Sequence, residues 1–224
     1  MATRVKTRAE ARGPLTRARV LRAAVKLADR DGIDSLSMRK LGQELGVEAM
    51  SLYNHVTNKE DMLDGIVDAL VGEVVVPPGD SDWKSSLRRT VLAARAVLLR
   101  HKWAPGVIES RRVPSPATIA YFDAVLGILR KGGFSLDAAH HALHIMGSRV
   151  LGFTQELFND SDELVEGPDA AAMMRQMAEA YPYITEMAMA VSHGEGLGGC
   201  DDNLEFGIAL DLILDGLQRL KTAA

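Results

Sequence analysis

Between Ser37 and His55 two short apolar-faced runs follow one another with almost no chain between them. In the first, Met38, Leu41 and Leu45 recur at the three- and four-residue spacing of one helix face. Ser37 offers an N-cap side chain and Gly46 a stop. Val47 alone then separates this run from Glu48 to His55. Helices joined so tightly must cross steeply, as the two members of a helix-turn-helix do. Each then turns an apolar face toward a third element that the neighbouring segments have to supply.

Those segments read as helices. From Thr16, an N-cap after Pro14, the residues Leu21, Ala24, Val25 and Ala28 predict a helix running to Gly32. Downstream, Asn58 followed by Asp61 has the pairing of an N-cap with an acidic third position. It opens a longer helix, with Leu63, Ile66, Val67, Leu70 and Val74 on one side, expected to extend to about residue 75 before Pro77-Pro78-Gly79 breaks it. Further helices are predicted at about 82–101, 115–131, 136–158 and 169–191, with a short turn near 105–111. The last, about 202–221, carries two apolar stripes: Phe206, Ala209, Leu210, Ile213, Leu217 and Leu220, and separately Leu204, Ile208 and Leu212. A terminal helix apolar on two faces asks for two partners, one in its own subunit and one outside; a second copy is the simplest outside partner, and burial wholly within its own domain is the alternative. No segment alternates as a strand does and no internal repeat is present, so the expected fold class is all-α.

The overall charge of −4 hides an asymmetry. Residues 1–60 carry twelve Lys and Arg against seven Asp and Glu, a net +5, and residues 61–224 carry fourteen against twenty-three, a net −9. A basic N-terminal segment fits a polyanionic partner, from which the acidic remainder is repelled. With 47% apolar and 25% charged residues the chain should fold, and no stretch is long and apolar enough for a membrane span or a secretory h-region. The expectation is a soluble, cytoplasmic protein without a membrane partner. Cys200 is a lone cysteine, and no C-x-x-C pair is present. His140 and His144 lie one helical turn apart without a third metal ligand in evidence, so no metal site and no cofactor are expected. Gly194 to Gly199 spells G-x-G-x-x-G but follows a helix rather than a strand, which makes it a connector and not a dinucleotide loop. No positioned nucleophile with a base and an orienting acid is found, and an enzyme is not expected.

The second short helix is then a candidate for the DNA major groove, with its predecessor bracing it. Ala49, Met50, Ser51 and Asn54 are free to face outward; small residues allow close approach to base edges, and Asn54 matches adenine N6 and N7. Ser37 and Arg39 stand at the start of the bracing helix, where Arg39 reaches a guanine edge or a phosphate. Tyr53, His55 and Lys59 surround the far end with groups suited to phosphate oxygens.

The run from Leu36 to Lys59, with Leu45-Gly46-Val47, then Leu52-Tyr53-Asn54-His55-Val56, then Asn58-Lys59, closely resembles the DNA-binding domain of the tetracycline-repressor (TetR) family. Gly133 to Ala139 with Ala142, Leu143 and Gly152 resembles the C-terminal domain of the tetracycline-repressor subclass. Arg4, Lys6, Arg8 and Arg12, without apolar periodicity, predict a mobile basic arm at 1–13, and the resemblance implies a helix-turn-helix domain at 14–60 and a helical effector-binding and dimerisation domain at 61–224. It implies a homodimer that binds palindromic double-stranded operator DNA, represses transcription and is released by a small-molecule effector; an activator or architectural protein without an effector is the alternative. Segments that line the effector pocket in that family place Phe122, Val125, Leu143, Met146 and Gly147 there. Arg112 and Met177 join them as polar and adaptable contacts, as do His140 and His144, which either cap the pocket or face solvent. The chain departs from tetracycline repressors where they hold a magnesium chelate: Val75, Thr90, Ala94, Ile108 and Val125 stand near the expected positions, and most are apolar, so the effector expected is small, largely apolar and not tetracycline.

Overall fold

The computed structural model describes residues 14–76, 82–152, 175–191 and 202–223. The predicted basic arm, the stretches 153–158 and 169–174 of two predicted helices, the Gly194 to Gly199 connector and Cys200 lie outside the described residues. Among the described residues every regular element is helical, as expected. The first seven helices are α1 (Arg17–Asp31), α2 (Met38–Leu45), α3 (Ala49–Leu52), α4 (Lys59–Val71), α5 (Trp83–Arg100), α6 (Ala104–Ser110) and α7 (Pro116–Lys131), with a 3-10 turn at Ile33–Ser35. Then follow α8 (Leu136–Gly152), α9 (Pro182–Val191) and α10 (Asp202–Ala223), and residues 175–180 are helical as well. The chain forms two compact units, dividing after Gly133.

The caps form where the side chains predict them. Thr16, Ser37 and Asn58 each accept from the backbone N–H three residues on, at 3.3, 3.3 and 2.8 Å, relieving orphan donors of α1, α2 and α4. Gly46 ends α2 in the left-handed region at φ 68°, a conformation that costs glycine little. Gly42 explains how α2 and α3 come so close: a Cβ there would stand 2.9 Å from the Val47 carbonyl oxygen and 3.2 Å from the Ala49 nitrogen.

In the first unit α1 packs on α2 and α4, α4 also on α5, α6 and α7, and α5 on α7. Val20, Leu21, Ala24, Leu27 and Ala28 of α1 are buried together with Leu41, Leu45, Leu52, Met62, Leu63 and Ile66. Polar ties cross the same contacts. Asp29 Oδ1 meets both His101 Nδ1 (2.8 Å) and the Trp103 indole N–H (2.7 Å). Arg111 bonds Glu60 at 2.6 Å and Asp64 at 3.4 Å, and Asp68 accepts from the Ala117 N–H at 2.8 Å. At the N-terminal end of α4, Asp61 takes Arg17 Nη2 at 2.6 Å, the Thr57 N–H at 2.7 Å and the Thr57 hydroxyl at 3.1 Å. The Arg17 fork and these Thr57 donors hold its carboxyl down at about 2.

In the second unit α8 packs on α10. Phe134, Ala138, Ala139, Ala142 and Met146 are buried, as are Phe206, Leu210, Leu214 and Leu217. The second stripe of the last helix, Leu204, Ile208 and Leu212, is exposed at 58, 49 and 67%.

Three boundaries differ from the sequence reading. Helix α4 stops at Val71 rather than near 75, where the Gly72, Glu73 and Val74 amides tighten into a closing turn. The predicted helix 169–191 is interrupted at Tyr181, because Pro182 has no N–H and its ring disfavours helical backbone at the preceding residue. The helical part of the second short run is confined to Ala49–Leu52, with Tyr53, Asn54 and His55 in the turn beyond it.

Replacing an interior helical glycine by alanine ordinarily stabilises by about 1 kcal/mol; at Gly42 the sign should reverse, because the methyl group meets backbone that has nowhere to go, and Gly42→Ala should cost about 1–3 kcal/mol, read as a lower urea midpoint. For Asp61 the folded carboxyl lies below its ordinary value of 3.8, so its stabilising contribution is complete above about pH 4 and lost as pH falls through about 2. Asp61→Asn should therefore flatten the acid limb of the stability profile across that window, measured by denaturant unfolding against pH; an unchanged limb would sink the assignment.

Candidate nucleic-acid interface

The recognition segment is pinned at two buried apolar residues and exposed between and around them. Leu52 and Val56 are both fully buried, one turn apart. Met50 is 74% and Tyr53 45% exposed, Asn54 is exposed, and Ala49 and Ser51 are half-buried. On the bracing helix the Ser37 hydroxyl is committed to its cap, whereas Arg39 is exposed. His55 is half-buried and Lys59, the first residue of α4, is exposed. Every residue singled out for DNA contact is thus at least partly accessible, and the hydroxyl, amide and cationic groups among them are the chemistry that phosphate and base edges require.

With only four residues, α3 has little power to orient itself. The chain after it turns on short bonds, Tyr53 N–H to the Met50 carbonyl at 3.3 Å and His55 N–H to the Leu52 carbonyl at 2.8 Å. Arg17 reaches in from α1 and donates to the His55 carbonyl at 2.7 Å. The sequence reading gave Arg17 no role. One signal was present: a cation in the first turn of a helix faces the positive end of the dipole, which is unfavourable unless something nearby compensates it. Here Asp61 does.

The effector-pocket candidates divide between the units. In the first, Phe122 and Val125 share α7, the former 37% and the latter 2% exposed, and Arg112 is exposed. Its neighbour Arg111 is the arginine that turns inward, its side chain 13% exposed on Glu60 and Asp64. Tyr121, beside Phe122 at a ring separation of 6.0 Å, was not anticipated; burial pushes its phenol up to about 12, so it stays a neutral donor at ordinary pH. In the second unit, His140 and His144 lie 4.5 Å apart between ring centroids and both are exposed, Leu143 and Gly147 are half-buried, Met146 is buried and Met177 is half-buried. Among the described residues no group of three or more His, Cys, Asp or Glu could hold a metal ion. No helix described is long and apolar enough to cross a membrane.

Comparison with known proteins matches this architecture along nearly the whole chain. A family model described as "Bacterial regulatory proteins, tetR family" matches residues 20–66, and one described as "Tetracyclin repressor-like, C-terminal domain" matches 77–220. The HTH-type transcriptional repressor DrrR1 of Streptomyces coeruleorubidus is 32% identical over 222 residues, covering 95% of this chain and 82% of that protein. An HTH-type transcriptional regulator of Saccharopolyspora erythraea is 33% identical, covering 75% of this chain and 72% of its own. Among solved structures, ActR of Streptomyces coelicolor without ligand superposes with a TM-score of 0.73 at 25% identity over 96% of this chain and all of the other. ActR in complex with (S)-DNPA superposes at 0.69 with 25% identity, over 93% and 100%. The closely joined pair of short helices, the helical elements of the other described residues and these matches lead to one conclusion: the chain belongs to the TetR family of bacterial transcriptional regulators.

Proposed function

We propose that this regulator is a cytoplasmic homodimeric repressor that grips a palindromic operator and is released by a small, largely apolar effector. The observation that carries the DNA-binding part is the recognition segment, anchored by buried Leu52 and Val56 with Met50, Tyr53 and Asn54 presented outward. Asn54 and Arg39 are the base readers; Tyr53, His55 and Lys59 are phosphate contacts, with Ser37, Ala49 and Ser51 allowing close approach. The basic first sixty residues and the acidic remainder orient the protein on the duplex. The exposed Leu204, Ile208 and Leu212 stripe of α10 supports self-association, since three large apolar side chains in a row on one helix face lose favourable burial if left in water.

Residues 61–224 take the effector; the candidate contacts in the first unit are Arg112, Phe122 and Val125, with Tyr121 next to Phe122, and those in the second are His140, Leu143, His144, Met146, Gly147 and Met177. The bound ActR relative supports a small-molecule partner for this architecture. A magnesium-tetracycline chelate is disfavoured by apolar Ile108 and Val125 where a metal-ligating side chain would be needed. The effector acts by preferring a dimer geometry in which the two recognition segments no longer match successive major grooves, about 34–36 Å apart; a few kcal/mol of differential affinity suffices.

Lys59→Ala should weaken binding to all duplexes about equally and lower the slope of log K against log salt by roughly one, whereas Asn54→Ala should change the preferred base. Anisotropy titrations on a randomised duplex library check both, and a wild-type protein with no affinity for any duplex at low salt would overturn the reading. Ile208→Glu or Leu212→Glu should yield a folded monomer in sedimentation, with operator affinity lost together with the dimer; an unchanged dimer would refute the stripe's role.

A further inference from the structure

Arg17 is the first residue of α1, yet its side-chain hydrogen bonds reach some forty residues along the chain. Nη1 donates to the His55 carbonyl at 2.7 Å and to Asp61 Oδ2 at 3.1 Å; Nη2 donates to Asp61 Oδ1 at 2.6 Å and to the Asp61 carbonyl at 3.3 Å. Asp61 Oδ2 in turn accepts from the Thr57 N–H. The cluster therefore grips the turn after α3 on both sides, at residue 55 and at residue 57. Room for it is left by Gly65, where a Cβ would come within 3.1 Å of Arg17 Nη2 and 2.9 Å of the Leu21 side chain.

We propose that Arg17 is a positioning residue for base recognition, fixing through the His55 carbonyl the angle at which Tyr53 and Asn54 meet the duplex without touching DNA itself. The inference rests on the operator-binding reading above. Two physical facts support it. A four-residue helix cannot hold its own direction, and base readout tolerates misplacement of only about 0.5 Å. The Arg17 charge is already neutralised by Asp61 in a two-pronged contact, which removes most of its attraction for phosphate. Only a planar fork serves Asp61 and the carbonyl together; a lysine ammonium is a point charge and cannot.

The test uses the full-length protein and two probes: a duplex that wild type selects from a randomised library, and the unselected pool. Arg17→Ala should lose about 10- to 100-fold on the selected duplex and less than about twofold on the pool, with the salt slope unchanged. Asp61→Ala should show the same loss, and the double variant no greater loss than either, because the pair acts as one unit. Arg17→Lys keeps the charge and a contact to Asp61, so it guards against simple unfolding; it should not restore discrimination. Equal losses on both probes with a slope lower by about one would make Arg17 a phosphate contact and overturn the proposal, as would unchanged discrimination in Arg17→Ala. Wild type that selects nothing overturns the operator-binding reading and this proposal with it.

Discussion

The first unit depends on α4 being shared. Met62, Leu63, Ile66, Val67 and Leu70 are all buried, an arc too wide for one neighbour, and the helix meets α1 as well as α5, α6 and α7. Its polar residues are committed as thoroughly: Glu60 and Asp64 to Arg111, Asp61 to Arg17 and Thr57, Asp68 to the Ala117 amide. A helix held by packing and hydrogen bonds on both sides cannot shift against one side without carrying or breaking the other, since close-packed interfaces have discrete arrangements and do not deform continuously.

A second tie makes the same point at the opposite end of α1. Asp29 Oδ1 receives His101 and Trp103 from the α5–α6 junction, and His101 is itself buried. The His101 side of this tie is sheltered from solvent, unlike the ion pairs on the surface. Arg30 with Glu44 and Arg100 with Glu73 are largely exposed, where solvent and salt screen the attraction. The helix-turn-helix is therefore not a bead on a string: it is one end of a compact body that runs to Gly133.

What the sequence showed directly was local. Thr16, Ser37 and Asn58 announce their helices because a cap depends only on residues within one turn, and Gly46 announces its stop for the same reason. Periodicity found only part of the buried stripe of α10: Phe206, Leu210 and Leu217 are buried but Ala209, Ile213 and Leu220 are half-buried, and it passed over Leu214, which is fully buried. The shortness of α3 was not legible, because part of what holds the turn beyond it comes from Arg17, thirty-eight residues away. The break at Tyr181 was legible in Pro182, but the apolar spacing on either side outweighed it. Effector contacts were the least legible: Val125 and Met146 are buried and His140 and His144 exposed, and an apolar period marks a buried face without distinguishing a pocket wall from ordinary core.

The two-faced terminal helix connects these local features to the shape of the target. One stripe of α10 is spent inside the unit against α8; Leu204, Ile208 and Leu212 remain in water. If a second copy covers them, the contact is isologous, each stripe meeting its own equivalent about a twofold axis. Two reading heads related by such an axis match a sequence that reads the same on both strands. The charge distribution then sets which way the pair faces, because a net −9 over residues 61–224 is repelled by phosphate while the +5 of the first sixty is drawn in. On the proposed dimer, palindromic recognition would follow from twofold pairing of the second apolar stripe, and the orientation of the pair from where the basic residues lie.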